Sequence, residues 1–376
     1  MITENKTFDT IILILFLSFW FSALVNKTER SHFNLPDVFT DTPEIFQECY
    51  LKEEDLNVVD IDLETVPELS EIRSNNSHLL PGGSYSPETC KSFQKVAIII
   101  PFRNRETHLK ILLNRLHRML FIQKIHYKIF VIEQEDLNDF NRGMLMNVGA
   151  LEALKDDPSF DCFIFHDVDL IPEHNRNIYM CDDDNLRNFA AAINENRYHY
   201  TFINYAGGVS GLSRKSFFKI NGFPNLYWGW GNEDDDFSAR TLNLNMKISR
   251  PPLNFARYKM IRHVKATRIV FNSKFFFTFR GRQMADGVNS LDRDSYWVLA
   301  NYPVDNKPVK DEEYLYTLIK VGLNSKQGLL PFSPIAILTE DEMVDVNNKT
   351  SFLEYVAWPP STVQSMWWYL RFYGWI

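Results

Sequence analysis

The sequence predicts an α/β domain in which the buried strands of a doubly wound sheet alternate with helices. The first observation is an apolar, largely β-branched run, VAIIIP at residues 96–101, which is typical of a strand buried on both faces. The second is that strand-like and helix-like segments alternate from this run onward. The third is composition, because 45% of the 376 residues are hydrophobic and can form a large core.

The alternation has five segments. After the strand at residues 96–101, leucines recur at helical spacing through residues 106–121, which predicts a helix. Residues 127–132 predict the second strand, residues 142–154 the second helix and residues 162–165 the third strand. A helix that connects two parallel strands makes a right-handed crossover. In sheets of this kind, ligands bind beyond the carboxyl ends of the strands. Side chains that follow each strand are therefore candidates for a site.

The N-terminal part predicts entry into the secretory pathway. Residues 11–25 form an apolar run, IILILFLSFWFSALV, which is short for a spanning helix of about 20 residues. A signal anchor and a cleaved signal peptide both fit, and the lack of a small-x-small cleavage site favours the anchor. We expect a cytoplasmic tail at residues 1–10, the anchor at residues 11–25, and a stem with the entry to the folded domain at residues 26–89.

Cysteines and sequons agree with a lumenal chain. The four cysteines are Cys49, Cys90, Cys162 and Cys181. They allow three pairings, and two disulfides are favoured over buried free thiols. Pairing neighbours along the chain gives the two short loops and is the expected arrangement. Sequons at Asn75 and Asn348 predict surface glycans, unless these are unmodified surface asparagines.

The charge excludes one class of partner. The net charge is −8 and no block of lysines and arginines interrupts it, so a nucleic-acid partner is not expected. A few placed arginines can still bind an anionic ligand. The oligomeric state does not follow from the sequence.

The most informative motif is WGWGNEDDDF at residues 228–237, where four consecutive carboxylates follow two tryptophans and two glycines. Like charges repel and raise one another's pKa, so stability does not explain the run. Carbohydrate sites use this mixture, because rings cover the apolar face of a sugar and carboxylates bind or deprotonate its hydroxyls. A solvated acidic turn is the alternative interpretation.

Polar motifs follow all three predicted strands. PFRNR at residues 101–105 and FNR at residues 140–142 suit a nucleotide with phosphates, or are surface arginines near helix starts. Asp167 and Asp169 follow the third strand and lie on one side if the segment stays extended. Such a pair can coordinate a divalent cation that holds a diphosphate.

The motif MIRH at residues 260–263 is ambiguous alone, because a lone histidine is more often structural. With a carboxylate, its thioether and imidazole favour a transition metal such as Mn²⁺.

In combination, these motifs resemble the β-1,4-galactosyltransferase family and its invertebrate relatives that transfer N-acetylgalactosamine. The matching segments, in family order, are VAIIIPFRNR, FNR, CFIFHDVDLIP, YAGGVSGLS, INGFPNLYWGWGNEDDDF, SRP, MIRH and DGVNSL. The resemblance implies a GT-A-type domain with a mixed, mostly parallel central sheet at residues 90–322. It also implies a single-pass type II protein of the Golgi membrane, with Mn²⁺-dependent, inverting transfer from a UDP-sugar donor.

The resemblance implies roles for individual residues. The metal ligands would be Asp169, Met260 and His263, and Asp234 would be the catalytic base. The sugar-donor contacts would be Pro101, Phe102, Arg103, Arg105, Phe140, Asn141, Arg142, Val168, Asp169, Tyr205, Gly208 and Trp230, the last on a loop that glycines allow to close. The acceptor contacts would be Asn232, Glu233, Asp234 and Asp235. The family's disulfides match Cys49–Cys90 and Cys162–Cys181.

Two residues bear on the sugar donor. In this family a tyrosine at the position of Tyr205 accompanies galactose transfer, whereas a smaller aliphatic residue accompanies N-acetylgalactosamine transfer. The next residue is usually Phe, and Ala206 removes that bulk. UDP-galactose is therefore the expected sugar donor, with UDP-N-acetylgalactosamine as the alternative. The expected acceptor is a glycan that ends in N-acetylglucosamine, on glycoprotein or glycolipid. Asn232 replaces a usual glycine, which is expected to stiffen the loop.

Residues 323–376 have no counterpart in the family and end in the apolar stretch WWYLRFYGW. Packing on the domain is the first expectation, with a partner or the membrane surface as alternatives. Two other function classes compete. A sugar-binding protein with a decayed site conflicts with the retained metal ligands and Asp234, and a calcium-dependent adhesion module does not explain PFRNR or MIRH.

Overall fold

A mixed sheet forms the centre of the fold in the computed structural model, which describes residues 48–199, 204–264, 266–267, 269, 272–292, 294–303 and 310–324. The apolar run at residues 11–25, the sequon at Asn348 and residues 325–376 lie outside the described residues. Within the described part, no helix is both long and apolar enough to cross a membrane.

Short strands and helices alternate along the chain. The strands are β1 (Ser84–Tyr85), β2 (Lys95–Phe102), β3 (His126–Gln134), β4 (Cys162–His166), β5 (Leu170–Pro172), β6 (Leu186–Asn188), β7 (Ala192–Ile193), β8 (Val209–Ser213), β9 (Ile248–Ser249), β10 (Arg257–Met260), β11 (Tyr296–Tyr302) and β12 (Thr317–Leu323). The helices are α1 (Leu69–Asn75), α2 (Glu106–Ile122), α3 (Arg142–Asp156), α4 (Arg214–Lys219), α5 (Glu233–Asn243), α6 (Asn272–Phe277) and α7 (Phe279–Arg282). Short 3-10 turns occur at Glu53–Asp55, Asn194–Asn196, Val288–Ser290 and Asp311–Tyr314.

The large sheet has the strand order β11-β12-β3-β2-β4-β8-β6-β9, and β1 pairs with β3. Strands β12, β3, β2 and β4 run parallel, whereas β8 lies antiparallel to β4 and β11 antiparallel to β12. A second sheet has the strand order β5-β10-β7. The three predicted strands therefore lie side by side in the sheet, and the two predicted helices separate them along the chain.

Burial of β2 on both faces follows from its sequence. Val96, Ile98 and Ile100 belong to the apolar cluster that contains α2, whereas Ala97 and Ile99 belong to the cluster that contains α3. Side chains of a strand alternate between its two faces, so a continuous apolar run feeds two layers of helices.

Residues 48–89 contribute to this domain more than their polar composition suggests. Ile72 on α1 is fully buried, and β1 adds a strand beside β3. The prediction had no strands after β4, yet β12 lies next to β3, between β3 and the edge strand β11. The sequence of β12, TLIKVGL, shows only a weak alternation of apolar and polar residues. It also lies in a part of the chain with few motifs, so the strand was not predicted.

The expected disulfide pairing is confirmed. Cys49 bonds to Cys90, and Cys162 at the start of β4 bonds to Cys181. The sequon residue Asn75 ends α1 and is exposed, so its side chain is accessible to modification.

Candidate active site

The motifs after β2, β3 and β4 meet at one edge of the sheet. Pro101 and Phe102 end β2, Asn141 begins the turn into α3, and Asp167 follows β4. These strands are parallel neighbours, so their carboxyl ends lie side by side. The N-terminal end of α5 and the end of β10 complete the site, through the contacts described below.

The predicted metal ligands come together. Met260 at the end of β10 pairs with Leu170, the residue after Asp169, and the Ile261 N–H donates to the Asp169 carbonyl at 2.8 Å. Nδ1 of His263 then lies 3.3 Å from Oδ2 of Asp169. Burial, and secondarily the charge of Asp167, raises the pKa of Asp169 to about 6. A cation would relieve this unfavourable burial of charge.

The donor set fits a transition metal. In the described part of the chain, no group of three or more His, Cys, Asp and Glu side chains is spaced to hold a metal ion. A cation between Asp169 and His263 would therefore depend on the Met260 thioether and on oxygens from a ligand. Oxygen, nitrogen and sulfur together favour Mn²⁺ or a similar ion over Mg²⁺ or Ca²⁺.

The two aspartates after β4 have different partners. Residues 168–169 form a turn, so the extended segment that would place both carboxylates on one side is not observed. Asp167 accepts a 2.6 Å bond from Nε of Arg142, whereas Asp169 faces His263. The condition of an extended segment is therefore not met, and the two carboxylates have different nearest partners.

Arg142 joins the end of β4 to the acidic stretch. Its Nε contacts Asp167 at 2.6 Å and its Nη1 contacts Oε1 of Glu233 at 3.4 Å. Burial opposes its charge, but the carboxylates of Asp167, Glu233 and Asp234 outweigh burial and raise the pKa of Arg142. Asn141 fixes the start of α3 by accepting a hydrogen bond from the Met144 N–H at 2.9 Å.

The acidic stretch forms the first turn of α5, where the helix dipole favours negative charge. Glu233 is buried, while Asp234 and Asp235 remain partly exposed. Burial, and then the charge of Asp234, raises the pKa of Glu233 to about 7. Burial also raises the pKa of Asp234, against the opposing charge of Arg142. The Glu233 carboxyl is therefore poised to exchange a proton near neutral pH.

The fourth carboxylate of the stretch belongs to the core. Asp236 is fully buried and contacts Nε of Arg240 at 2.6 Å and Nη2 of Arg282 at 2.9 Å. The Tyr227 hydroxyl donates to it at 2.8 Å. Asp286, within the DGVNSL motif, accepts a further bond from Arg282. The acidic stretch therefore has a structural part as well as a partly exposed part, Asp234 and Asp235, which we call the cleft part.

Tyr205 lies against the acidic stretch. A side chain at Gly207 would collide with both the Asp234 carboxylate and the Tyr205 hydroxyl, so these two groups approach each other across the glycine. Gly208 has φ +77° and its carbonyl accepts from the Asp167 N–H at 3.0 Å, which ties this turn to the end of β4.

The sequence of this chain is similar to those of known glycosyltransferases. A family model described as the N-terminal region of glycosyl transferase group 7 matches residues 49–182. A second, described as the N-terminal domain of galactosyltransferase, matches residues 187–264. β-1,4-Galactosyltransferase 2 of Mus musculus is 46% identical over 226 residues, which are 59% of this chain and 61% of that protein. β-1,4-Galactosyltransferase 3 of Homo sapiens is 46% identical over 205 residues, 54% of this chain and 52% of that protein.

The chain belongs to the β-1,4-galactosyltransferase family. The matches span about half to six tenths of the length of these relatives. Among solved structures, a mutant of Drosophila β-1,4-galactosyltransferase 7 in complex with manganese, UDP-Gal and xylobiose is similar. Its TM-score is 0.52 and its identity 26%, over 63% of this chain and 98% of that chain. The fold is accordingly of the GT-A type.

Other residues that the family resemblance predicted lie around the same edge. Arg103 has its guanidinium 5.2 Å from the Phe140 ring centroid, and Val168 is partly exposed between the two aspartates. Phe102 differs, because its ring is only 4% exposed and packs in the core with Leu109. The predicted contact of Phe102 with the sugar donor is therefore restricted by packing.

The segment around Trp230 is tied to its neighbours through the backbone. The Gly229 N–H donates to the Phe140 carbonyl at 2.9 Å, and the side-chain amide of Asn272 donates to the carbonyls of Trp228 and Gly231. The Trp230 ring is 53% exposed. A residue this exposed is available to contact a ligand.

Asn232 is not a simple replacement of glycine. It has φ +74°, which asparagine tolerates better than most residues. Its side chain donates to Oδ2 of Asp235 at 3.0 Å and accepts from the Ser273 hydroxyl at 3.2 Å. The amide links the predicted acceptor-binding turn to α6, and these hydrogen bonds are the contacts through which the predicted stiffening would act.

Two residues near the site were missed in the sequence. His166, part of the HDVD word, is buried between the Tyr179 hydroxyl and the Asp167 carbonyl, and burial lowers its pKa to about 4. His108 lies in the first turn of α2 with its ring 6.1 Å from that of His263. Burial, with Arg105 and His263 close by, lowers the pKa of His108. Its position three residues after PFRNR was the only available signal.

Proposed function

We propose that this protein transfers galactose from UDP-galactose to the 4-hydroxyl of terminal N-acetylglucosamine on glycoprotein or glycolipid glycans, with inversion at the anomeric carbon. The observation that carries the proposal is the joining of two half-sites. Asp169 and His263 form one, Asp234 with Tyr205 forms the other, and Arg142 bridges them through Asp167 and Glu233. Membership in the family supplies the reaction class.

The first half-site would hold Mn²⁺ through Asp169, Met260 and His263. The raised pKa of Asp169 and the mixed donor set fit such an ion. When bound, Mn²⁺ would neutralise negative charge on the diphosphate leaving group. Arg103 and Arg105 would add positive charge for the same diphosphate, and Phe140 would offer a ring face to the nucleotide base. Manganese and UDP-Gal accompany the similar Drosophila enzyme in its solved structure.

In the second half-site, Asp234 would act as the base. A carboxylate whose pKa is raised by burial accepts a proton more readily than a solvated one, which suits removal of the proton from the acceptor's 4-hydroxyl. The oxygen would attack the anomeric carbon from the face opposite to UDP. Direct displacement turns an α-linked sugar donor into a β-linkage. Glu233 and Asp235 would orient the acceptor, and Trp230 would cover the bound sugar and exclude water.

Tyr205 and Ala206 bear on the choice of sugar donor. The Tyr205 hydroxyl lies next to Asp234. In the proposed site it would crowd a substituent larger than a hydroxyl on the transferred sugar. Ala206 is only 3% exposed and packs in the cluster of α3 and Phe165. Its missing ring would therefore open space in the core and leave the cleft unchanged. This contrast favours UDP-galactose over UDP-N-acetylgalactosamine.

Placement in the cell is part of the same proposal. The apolar run at residues 11–25 would anchor the chain in the Golgi membrane as a type II protein, with residues 90–322 in the lumen. The two disulfides fit an oxidising compartment.

The decisive experiment incubates the purified protein with each UDP-sugar, Mn²⁺ and an N-acetylglucosamine-terminated acceptor. We expect β-1,4-linked product from UDP-galactose, with little from UDP-N-acetylgalactosamine. The variant Asp234→Asn should lose turnover and still bind UDP with Mn²⁺, whereas Asp184→Asn, an exposed acid with 76% side-chain exposure, should behave like wild type. Activity confined to the N-acetylated sugar donor would reject the donor assignment, and full turnover by Asp234→Asn would reject the base.

A further inference from the structure

His108 carries a buried ring nitrogen that the fold leaves unused. The residue is 8% exposed, and in the part of the chain that the structure describes its Nδ1 has no hydrogen-bond partner. A buried polar atom without a partner costs about 1–3 kcal/mol, so such atoms are rare and call for an explanation.

The surroundings of His108 are charged and lie at the cation half-site. Its ring centroid is 6.1 Å from that of His263, in an edge arrangement, and Nδ1 of His263 is 3.3 Å from the Asp169 carboxylate. Arg105, at the N-cap of α2, interacts electrostatically with both His108 and Asp169. The Asp169 carboxylate, which the charge of Asp167 also reaches, therefore lies near a guanidinium and two imidazoles.

A second histidine shows that an unpaired ring nitrogen is not sufficient evidence. Nε2 of His78 is also buried without a partner among the described residues. Its ring packs against Phe121, with centroids 4.1 Å apart, and against Tyr85, at 5.2 Å. That environment is mainly aromatic, although the charge of Arg73 reaches the ring. His108 differs because it adjoins Arg105, Asp169 and His263.

The position of His108 at the start of a helix suits an anionic ligand. His108 lies in the first turn of the 17-residue helix α2, whose N-terminal end is positive and follows strand β2 directly. Helix N-termini after the strands of α/β sheets commonly bind phosphate. A phosphate oxygen would satisfy the His108 nitrogen and balance Arg105 together.

We propose that His108 binds the diphosphate of the nucleotide-sugar donor through a hydrogen bond from Nδ1, an inference that rests on the proposed function. It would act beside the predicted arginines and the cation, on the nucleotide and away from the transferred sugar.

The test measures nucleotide binding by the full chain. Wild type, His108→Phe and His108→Asn are titrated by calorimetry with UDP in the presence of Mn²⁺, and with uridine as a ligand that lacks phosphates. Phe keeps the ring shape without a donor, whereas the Asn amide can reach the position of Nδ1. We expect His108→Phe to weaken UDP binding about tenfold or more, with uridine binding unchanged. His108→Asn should stay within about threefold of wild type.

The matched control is His78→Phe, which removes the other unpaired nitrogen and should leave UDP binding unchanged. If His108→Phe does not fold, as judged by circular dichroism, His108→Gln replaces it, because its amide extends past the Nδ1 position. UDP affinity equal to wild type in the folded variant overturns the inference. So does a loss of Mn²⁺ binding measured by electron paramagnetic resonance without nucleotide, since His108 would then serve the cation. Absence of UDP binding by wild type would instead refute the proposed function.

Discussion

Two aspartates of one acidic stretch should respond in opposite ways to the same substitution. Asp236→Asn would remove a fully buried carboxylate that contacts Arg240 at 2.6 Å, Arg282 at 2.9 Å and the Tyr227 hydroxyl at 2.8 Å. An amide cannot accept all three bonds and carries no charge. The two buried guanidiniums would share the charge of Asp286 alone.

The loss of stability expected for Asp236→Asn follows from the burial of its ion pairs. Breaking a buried ion pair by removing one partner costs about 3–5 kcal/mol. For a domain of this size, 1 kcal/mol corresponds to roughly 2–4 °C, so the Tm should fall by roughly 6–20 °C. In Asp234→Asn, burial disfavours the charge that is removed, as the raised pKa of Asp234 indicates. Its Tm should stay within about 2 °C of wild type or rise slightly, although turnover is lost.

The assay pairs differential scanning fluorimetry with the transfer reaction for both variants, and uses the exposed Asp184→Asn as the reference for a neutral substitution. An unchanged Tm for Asp236→Asn would refute the view that its charge holds α5 in place. A comparable loss of Tm in Asp234→Asn would refute the separation of the stretch into a core part and a cleft part.

Three other outcomes are expected. Tyr205→Leu should raise the ratio of kcat/KM for UDP-N-acetylgalactosamine over UDP-galactose about tenfold, because it removes the ring next to Asp234, and an unchanged ratio would contradict that role. Replacing Cys162 and Cys181 together by Ala opens a loop of 19 residues and should lower the free energy of unfolding by about 3 kcal/mol, measured by chemical denaturation. An unchanged denaturation midpoint would contradict this stabilising role of the disulfide. Burial raises the pKa of Asp169 to about 6, above its unfolded value, so the folded state loses stability as pH rises from about 4 to 6. In chelator, Asp169→Asn should therefore have a higher Tm than wild type at pH 7 and the same Tm at pH 4, and a difference independent of pH would exclude this origin.

Local patterns predicted the centre of the fold because burial there is decided by single segments. A continuous apolar run such as residues 96–101 is compatible with few environments, and the helix at residues 106–121 shows its buried face through its leucines. Strands β11 and β12 were missed, because their burial depends on neighbours far away in the chain. Tyr296–Tyr302 is largely exposed at the sheet edge, and its sequence has no clear alternation.

The predicted site residues lie at one edge of the sheet, but the contacts of each side chain could not be predicted from the sequence. The turn at residues 168–169 sends Asp167 to Arg142 and Asp169 to His263, a division that the Asp-x-Asp spacing does not reveal. His108 gave no signal alone, since its significance lies in a histidine more than 150 residues away in the chain.

The sequence by itself determined the alternation of strands and helices, the family, and the segments that gather at the carboxyl ends of the strands. Apolar periodicity and short motifs are local properties, and a chain carries them whatever its tertiary contacts. Only the tertiary structure decided which of four adjacent acids faces the cleft. Successive helical residues point about 100° apart, so α5 turns Asp234 toward Tyr205 and Asp236 toward Arg240 and Arg282. Identical side chains thereby acquire opposite roles, because packing sets the charge and solvent around each one.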